Sequence, residues 1–139
     1  MSVFVDTNIL VYAHDTAAGE RHERARRLVE QLWAQSGRPA ISMQVIQELY
    51  VSLRKKGLAP ADAARVASDY FGWSVVVNDG ALLRAAMSAA DRWTISLWDA
   101  LIVEAARAAG AAELWSEDLS DGQDFDGVRV VNVLRHAAP

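Results

Sequence analysis

Apolar positions along this chain change their spacing several times, and each change marks an element. Val3-Phe4-Val5 is a short apolar run that stops at Asp6-Thr7-Asn8, the pattern of a buried strand giving way to a helix start. A short helix is expected over Asn8 to Tyr12, broken near His14-Asp15. From Glu20 to Gln35 the period is helical, with Ala25, Leu28, Val29, Leu32 and Trp33 on one face and charge opposite. Gly37 and Pro39 close that helix. Ala40-Ile41 predicts a very short strand, and Ser42 stands where it would cap the next helix. That helix runs from about Met43 to Lys56, with Val45, Ile46, Leu49 and Leu53 inward and Gly57 as the stop.

Pro60 suits the first turn of a further helix, which carries Ala63, Ala64, Val66 and Ala67 toward Phe71. Trp73 to Val77 is the clearest strand in the sequence, and Asp79 is placed to cap a helix from about Gly80 to Asp91. Ser96, followed three residues later by Asp99, has the spacing of a capping box. It opens a helix through Ile102, Ala105 and Ala106 to Gly110. Glu113 to Ser116 and Val128 to Val131 read as strands on either side of an acidic turn region.

Strands that alternate with helices imply a mostly parallel sheet covered on both faces, a three-layer α/β/α arrangement with four to five short strands. The 139 residues fit one domain, here 1–135, with 136–139 as a loose tail. Half the residues are hydrophobic (52%), enough to build a core and to exclude a disordered chain. No apolar run is long enough to span a bilayer, and the N-terminus lacks the basic region of a signal peptide, so a cytoplasmic location and no membrane partner are expected. The absence of cysteine excludes disulfides and thiolate metal sites.

The net charge of −4 speaks against a protein that holds nucleic acid by a basic excess. Two basic groups, Arg21, Arg24, Arg26 and Arg27, and then Arg54, Lys55 and Lys56, read as solvated helix faces. An acidic protein still handles nucleic acid when divalent cations neutralise its site. Candidate chemistry therefore lies in the acids. In open parallel sheets, ligands bind outside the carboxyl ends of the strands. Asp6 lies at that end of the first strand, Asp118 lies just past the Glu113–Ser116 strand, and Asp99 is in the first turn of its helix. Glu48 lies roughly 60° round its helix from Val45, at the border of the apolar stripe.

Each acid also has a plain structural reading: Asp6 or Asp99 as a helix cap, Asp118 as a turn residue, Glu48 as a solvated side chain. Several carboxylates in one cleft repel one another unless cations sit between them, so stability alone gives no reason to gather them. Hard oxygen ligands favour Mg²⁺ or Mn²⁺ over zinc. His14, His22 and His136 form no ligand spacing and read as surface residues. Of the five tryptophans, Trp98 beside Asp99 is the best placed to stack a base, and the others read as core or dimer contacts.

Val5-Asp6-Thr7-Asn8-Ile9-Leu10, Val45-Ile46-Gln47-Glu48-Leu49, Trp98-Asp99-Ala100-Leu101-Ile102 and Ser116-Glu117-Asp118-Leu119 together resemble the motifs of PIN-domain nucleases. More narrowly they resemble the VapC toxins of bacterial toxin–antitoxin modules, over nearly the whole chain. This resemblance implies a PIN-like fold and an endoribonuclease that uses Mg²⁺ or Mn²⁺ to activate water for attack on an RNA phosphate. It implies that Asp6, Glu48, Asp99 and Asp118 hold metal, that Ser116 bonds Asp6 or a metal-bound water, and that Asn8 orients Asp6 or caps its own helix. It implies a homodimer and a small antitoxin protein that covers the acidic cleft. The sequence departs from the family in two places. Extra acids after Asp118 make Asp121, ranked first on proximity, or Asp124 a further ligand candidate, and Val131-Asn132-Val133-Leu134 replaces the usual Asn-Pro-Phe.

Three other readings compete: a catalytically silent PIN-fold interaction module, a DNA-directed nuclease with the same metal site, and a phosphate-accepting signalling domain. Keeping all four acids argues against the first. The third wants a lysine near the site, and Lys55 and Lys56 stand at the far end of the Glu48 helix.

Overall fold

A computed structural model describes residues 2–135. The expected tail, 136–139 with His136, lies outside the described residues. The chain runs β1 (Val3–Val5), α1 (Thr7–His14), α2 (Glu20–Ala34), β2 (Ala40–Ser42), α3 (Met43–Lys55), α4 (Pro60–Asp69) and β3 (Ser74–Val76). It continues with α5 (Gly80–Trp93), α6 (Leu97–Ala108), β4 (Glu113–Trp115), β5 (Asp124–Phe125) and β6 (Val128–Val131). The helix starts follow from the sequence. Asp6, Ser42, Asp79 and Ser96 each accept a backbone N–H in the first turn of α1, α3, α5 and α6 respectively.

The strands form one sheet in the order β3-β2-β1-β4-β6-β5, parallel throughout except for the β5–β6 pair. Helix α1 packs on both α2 and α3, and α3 packs on α4, while α5 packs on α6 and α6 crosses β2, β4 and β6. β1 is central and buried at every residue, as a strand covered on both faces must be. Phe4, Ile9, Leu10, Ile41, Leu49, Leu53 and Leu114 are fully buried around it. Burying each such side chain contributes about 1.5–3 kcal/mol.

The sheet has six strands, not the four to five expected. The addition is β5, which turns back onto β6 through Asp126-Gly127, both with positive φ (52° and 99°). That is the backbone demanded by a tight two-residue hairpin, and Asp-Gly is its usual sequence. The signal was present in the sequence but lay inside a region read only as an acidic turn. The strand expected over Trp73 to Val77 is shorter and lies at the sheet edge. Trp73 itself is buried against Tyr70 and Trp33 instead of extending the strand. The helix expected to reach Phe71 ends at Asp69 and tightens into one 3-10 turn.

His14 and His22 are half-buried, not surface residues. His14 Nε2 lies 2.7 Å from the Tyr70 hydroxyl, and burial holds its ring below the usual imidazole range. His22 Nδ1 lies 2.9 Å from the Tyr12 carbonyl oxygen. No helix among the described residues is long and apolar enough to cross a membrane.

Candidate active site

Strand register decides what meets at the carboxyl edge of the sheet. Val5 of β1 pairs with Trp115 of β4, so the next residues, Asp6 and Ser116, emerge side by side. The Asp6 N–H extends the ladder by donating to the Trp115 carbonyl at 2.9 Å. Both side chains are enclosed, Asp6 at 4% exposure and Ser116 at 0%. The Ser116 hydroxyl donates to Asp6 Oδ2 at 2.7 Å, and Thr7 N–H donates to Oδ1 at 2.7 Å. Burial pushes the Asp6 carboxyl up to about 7. The Ser116 and Thr7 hydrogen bonds hold it down, and the Asp118 and Glu48 charges push it further up.

Asp118 sits in the turn after β4, and a single amide fixes that turn to α1. Asn8 Nδ2 donates to Asp118 Oδ2 at 3.0 Å and to Asp6 Oδ2 at 3.4 Å, while Asn8 Oδ1 accepts the Glu117 N–H at 3.1 Å. Ser116 Oγ accepts the Asp118 N–H at 3.1 Å, so the same hydroxyl ties Asp6 to the Asp118 turn. Asn8 was expected to orient Asp6 or cap its helix. Asp6 provides the cap, while Asn8 touches Asp6 Oδ2 and also links α1 to residues 117 and 118.

Glu48, in the second turn of α3, is half-buried, as its place at the edge of the apolar stripe implied. Thr7 Oγ1 donates to Glu48 Oε1 at 2.6 Å. Gln44, one turn earlier, donates through Nε2 to Glu48 Oε2 at 3.4 Å and to the Trp98 carbonyl at 3.3 Å. It thereby fastens α3 to the first turn of α6, where Asp99 lies. Asp99 is half-buried, and Ser96 Oγ caps its N–H at 3.0 Å. Burial raises the Asp99 carboxyl, the Ser96 hydroxyl lowers it, and Asp118 and Glu48 raise it further. The charges of Asp118 and Glu48 therefore act on both Asp6 and Asp99.

The four acids share one electrostatic neighbourhood, but they are held apart by neutral donors. Among the described residues no three acidic or histidine side chains converge as a ready-made metal cage. The donor set nonetheless suits a hard divalent cation: carboxylate oxygens, no sulfur, and a buried carboxylate raised toward neutrality. Gln44 Oε1 adds a buried acceptor with no partner among the described residues, a group that a metal-bound water would satisfy. Thr7 and Gln44 were not singled out from the sequence. Gln44 stands four residues before Glu48 on one helix, a spacing that could have flagged it, whereas Thr7 Oγ1 reaches Glu48 only through tertiary packing.

The further ligand candidates are engaged elsewhere. Asp121 Oδ1 accepts the Asn132 N–H at 2.9 Å, and Asp124 Oδ1 accepts the Gly127 N–H at 2.6 Å inside the hairpin turn. Glu117 is taken by Tyr12 Oη at 2.8 Å and Arg21 Nε at 3.0 Å. Trp98 is 64% exposed beside Asp99, whereas Trp73 is buried.

Residues 3–123 match the family model of the PIN domain. This chain belongs to the PIN-domain family. Solved structures share its fold. A toxin–antitoxin complex from Klebsiella pneumoniae superposes with a TM-score of 0.68 at 21% identity, covering 91% of this chain and 94% of that one. VapC20 of Mycobacterium tuberculosis, described as a toxin that cleaves the sarcin-ricin loop, gives 0.64 at 24% identity, covering 89% and 91%. VapBC-1 from nontypeable Haemophilus influenzae gives 0.66 at 16% identity, covering 96% and 98%. No curated protein matches the chain in sequence. In this PIN domain the acids stand at the carboxyl edge of the sheet, on the connections after β1 and β4 and on α3 and α6.

Proposed function

We propose that this PIN-domain protein is a Mg²⁺- or Mn²⁺-dependent endoribonuclease, the toxin of a toxin–antitoxin pair. The observation that carries the reading is the buried Asp6 carboxylate, pushed up to about 7 while Asp118 and Glu48 bear on it and on Asp99. Burying one carboxylate beside two others is costly unless a cation is meant to lie there. Asp6, Glu48, Asp99 and Asp118 would hold the metal. Asp121 has one oxygen engaged by Asn132, so it ranks behind these four. A bound ion of this type lowers the pKa of its water and stabilises charge on the leaving oxygen.

The chain itself supplies position. Ser116 and Thr7 fix both oxygens of Asp6, Asn8 fixes Asp118, and Thr7 with Gln44 fixes Glu48. Such fixed donors and ligands need no rearrangement when charge develops. The toxin reading draws on structural neighbours that include a toxin–antitoxin complex and a separate toxin described as cleaving the sarcin-ricin loop. A small antitoxin covering the acids is the partner proposed. A homodimer accords with Leu83 and Met87, exposed one turn apart on α5.

The test is cleavage of single-stranded and looped RNA by the purified protein, with DNA of the same sequence in parallel. Cleavage in Mg²⁺ or Mn²⁺ that stops with EDTA, leaves 5′-phosphate ends and is lost in Asp99→Asn is the expected result. RNA left intact in both metals, or cut equally well in EDTA, overturns the reading. Preferential cleavage of DNA overturns its substrate.

A further inference from the structure

Two helical stripes extend away from the acids. On α3, Glu48, Val51, Ser52 and Lys55 recur at the spacing of three and four residues that aligns one helix face. On α1, Asn8, Val11 and Tyr12 do the same. The two helices pack against each other, and both stripes line one open groove of about 560 Å³. Glu48 and Asp118 stand at one end of it and Lys55 at the other. At the helical rise, Lys55 lies about 10 Å along α3 from Glu48.

The contents of this groove are unusual for a solvated helix face. Val51 is 49% exposed between the two charged ends. Tyr12 is held in place by its hydrogen bond to Glu117. Lys56 is committed to Asp15 at 2.9 Å, whereas Lys55 is exposed and makes no ion pair among the described residues. A cationic end, an apolar middle and an acidic, metal-demanding end match a strand of alternating phosphates and nucleosides. A basic protein segment suits the acids but meets like charge at Lys55.

We infer that this groove seats the RNA strand flanking the cut, with Lys55 on a neighbouring backbone phosphate and Val51 and Tyr12 under the intervening nucleoside. The inference rests on the ribonuclease reading and adds the direction in which substrate leaves the acids. It gives Lys55, exposed as the sequence implied, a role beyond that of a solvated charge.

Equilibrium binding separates the subsite from the chemistry. A fluorescent, single-stranded RNA is titrated with the whole protein in Ca²⁺ across a series of salt concentrations. Lys55→Gln is expected to weaken binding about tenfold at low salt and to lower the slope of log K against log salt by about 0.7, the loss of one single-strand phosphate contact. Lys55→Arg is expected to restore both. Val51→Asp, at an exposed helix position, is expected to weaken binding by a similar factor. Arg84→Gln, a cation on α5 outside the groove, is expected to change neither. A parent that binds no RNA, a Lys55→Gln protein with the parent's affinity and slope, or an equal loss in Arg84→Gln overturns the inference. A parent that fails to cut RNA overturns the ribonuclease reading instead, while the salt slope still decides the groove.

Discussion

The hydroxyl of Ser116 lies 2.7 Å from Asp6 Oδ2 and also accepts the Asp118 N–H at 3.1 Å. One buried oxygen thus couples two of the acids through partners 110 and two positions away in the chain. It does so because β1 and β4 are adjacent and in register at Val5 and Trp115.

Ser116→Ala removes a donor from a buried carboxylate and an acceptor from a backbone N–H. A loss of about 1–3 kcal/mol is expected in urea denaturation, the usual cost of unpaired buried polar groups. Because the Ser116 bond is the largest influence holding Asp6 down, the variant's Asp6 should titrate higher than about 7. Ser116→Thr, which keeps the hydroxyl, should recover most of both effects. An alanine variant with unchanged stability would remove Ser116 from this role.

Asp6 gives the metal-free protein a definite pH dependence. Its folded value of about 7 lies above the ordinary 3.8, so folding favours the protonated form. The stability it contributes is complete below about 3.8 and is lost as pH rises through about 7, a change on the order of 4 kcal/mol. Asp99, also raised, acts with the same sign, and His14, which is lowered, acts with the opposite one, losing stability as pH falls. Comparing Asp6→Asn with the parent in EDTA isolates the Asp6 share. The variant should be the more stable at pH 8, with a flatter profile between pH 4 and 8. Parallel profiles for the two proteins would refute the raised carboxyl.

Divalent ion should reverse that penalty. At a Mn²⁺ concentration a hundredfold above its Kd, a single site binding only the folded protein stabilises it by about 2.7 kcal/mol. The thermal midpoint of the parent should therefore rise with Mn²⁺ at pH 8 and fall again with EDTA. Asp6→Asn and Asp99→Asn should respond far less. Equal shifts in all three proteins would place the ion elsewhere.

Asn8→Ala tests positioning without touching a carboxylate. It frees Asp118 Oδ2 and leaves the Glu117 N–H without its side-chain acceptor. Stability should fall by about 1 kcal/mol. Turnover of RNA should fall at least tenfold, since a ligand displaced by about an ångström costs more rate than stability. Turnover at the parent's rate, with the same loss of stability, would make Asn8 a purely structural clamp.

Much of this architecture is written locally. Asp6, Ser42, Asp79 and Ser96 precede helical periods and act as caps where expected. Short runs such as Val3–Val5 end where the sheet edge lies. The acids could be gathered on paper because strand ends in a parallel sheet share an edge. What stayed hidden depended on distant packing. Gln44 reaches the Trp98 carbonyl only after α3 and α6 are brought together, and Thr7 reaches Glu48 only across the α1–α3 contact. Trp73 left its strand because Tyr70 and Trp33 offered an aromatic pocket, which no periodicity encodes. The β5–β6 hairpin is a different case: Asp126-Gly127 is a local signal, masked by the charged residues around it.

The central place of β1 has a consequence for how the protein comes into being. Asp6 is translated well before the strand that completes its surroundings, β4, which ends at Trp115. A nascent or prematurely terminated polypeptide lacking β4 carries all six helices, α1 to α6, but neither Ser116 nor Asp118. On the proposed ribonuclease reading, this order of synthesis keeps the unfinished chain from assembling its site.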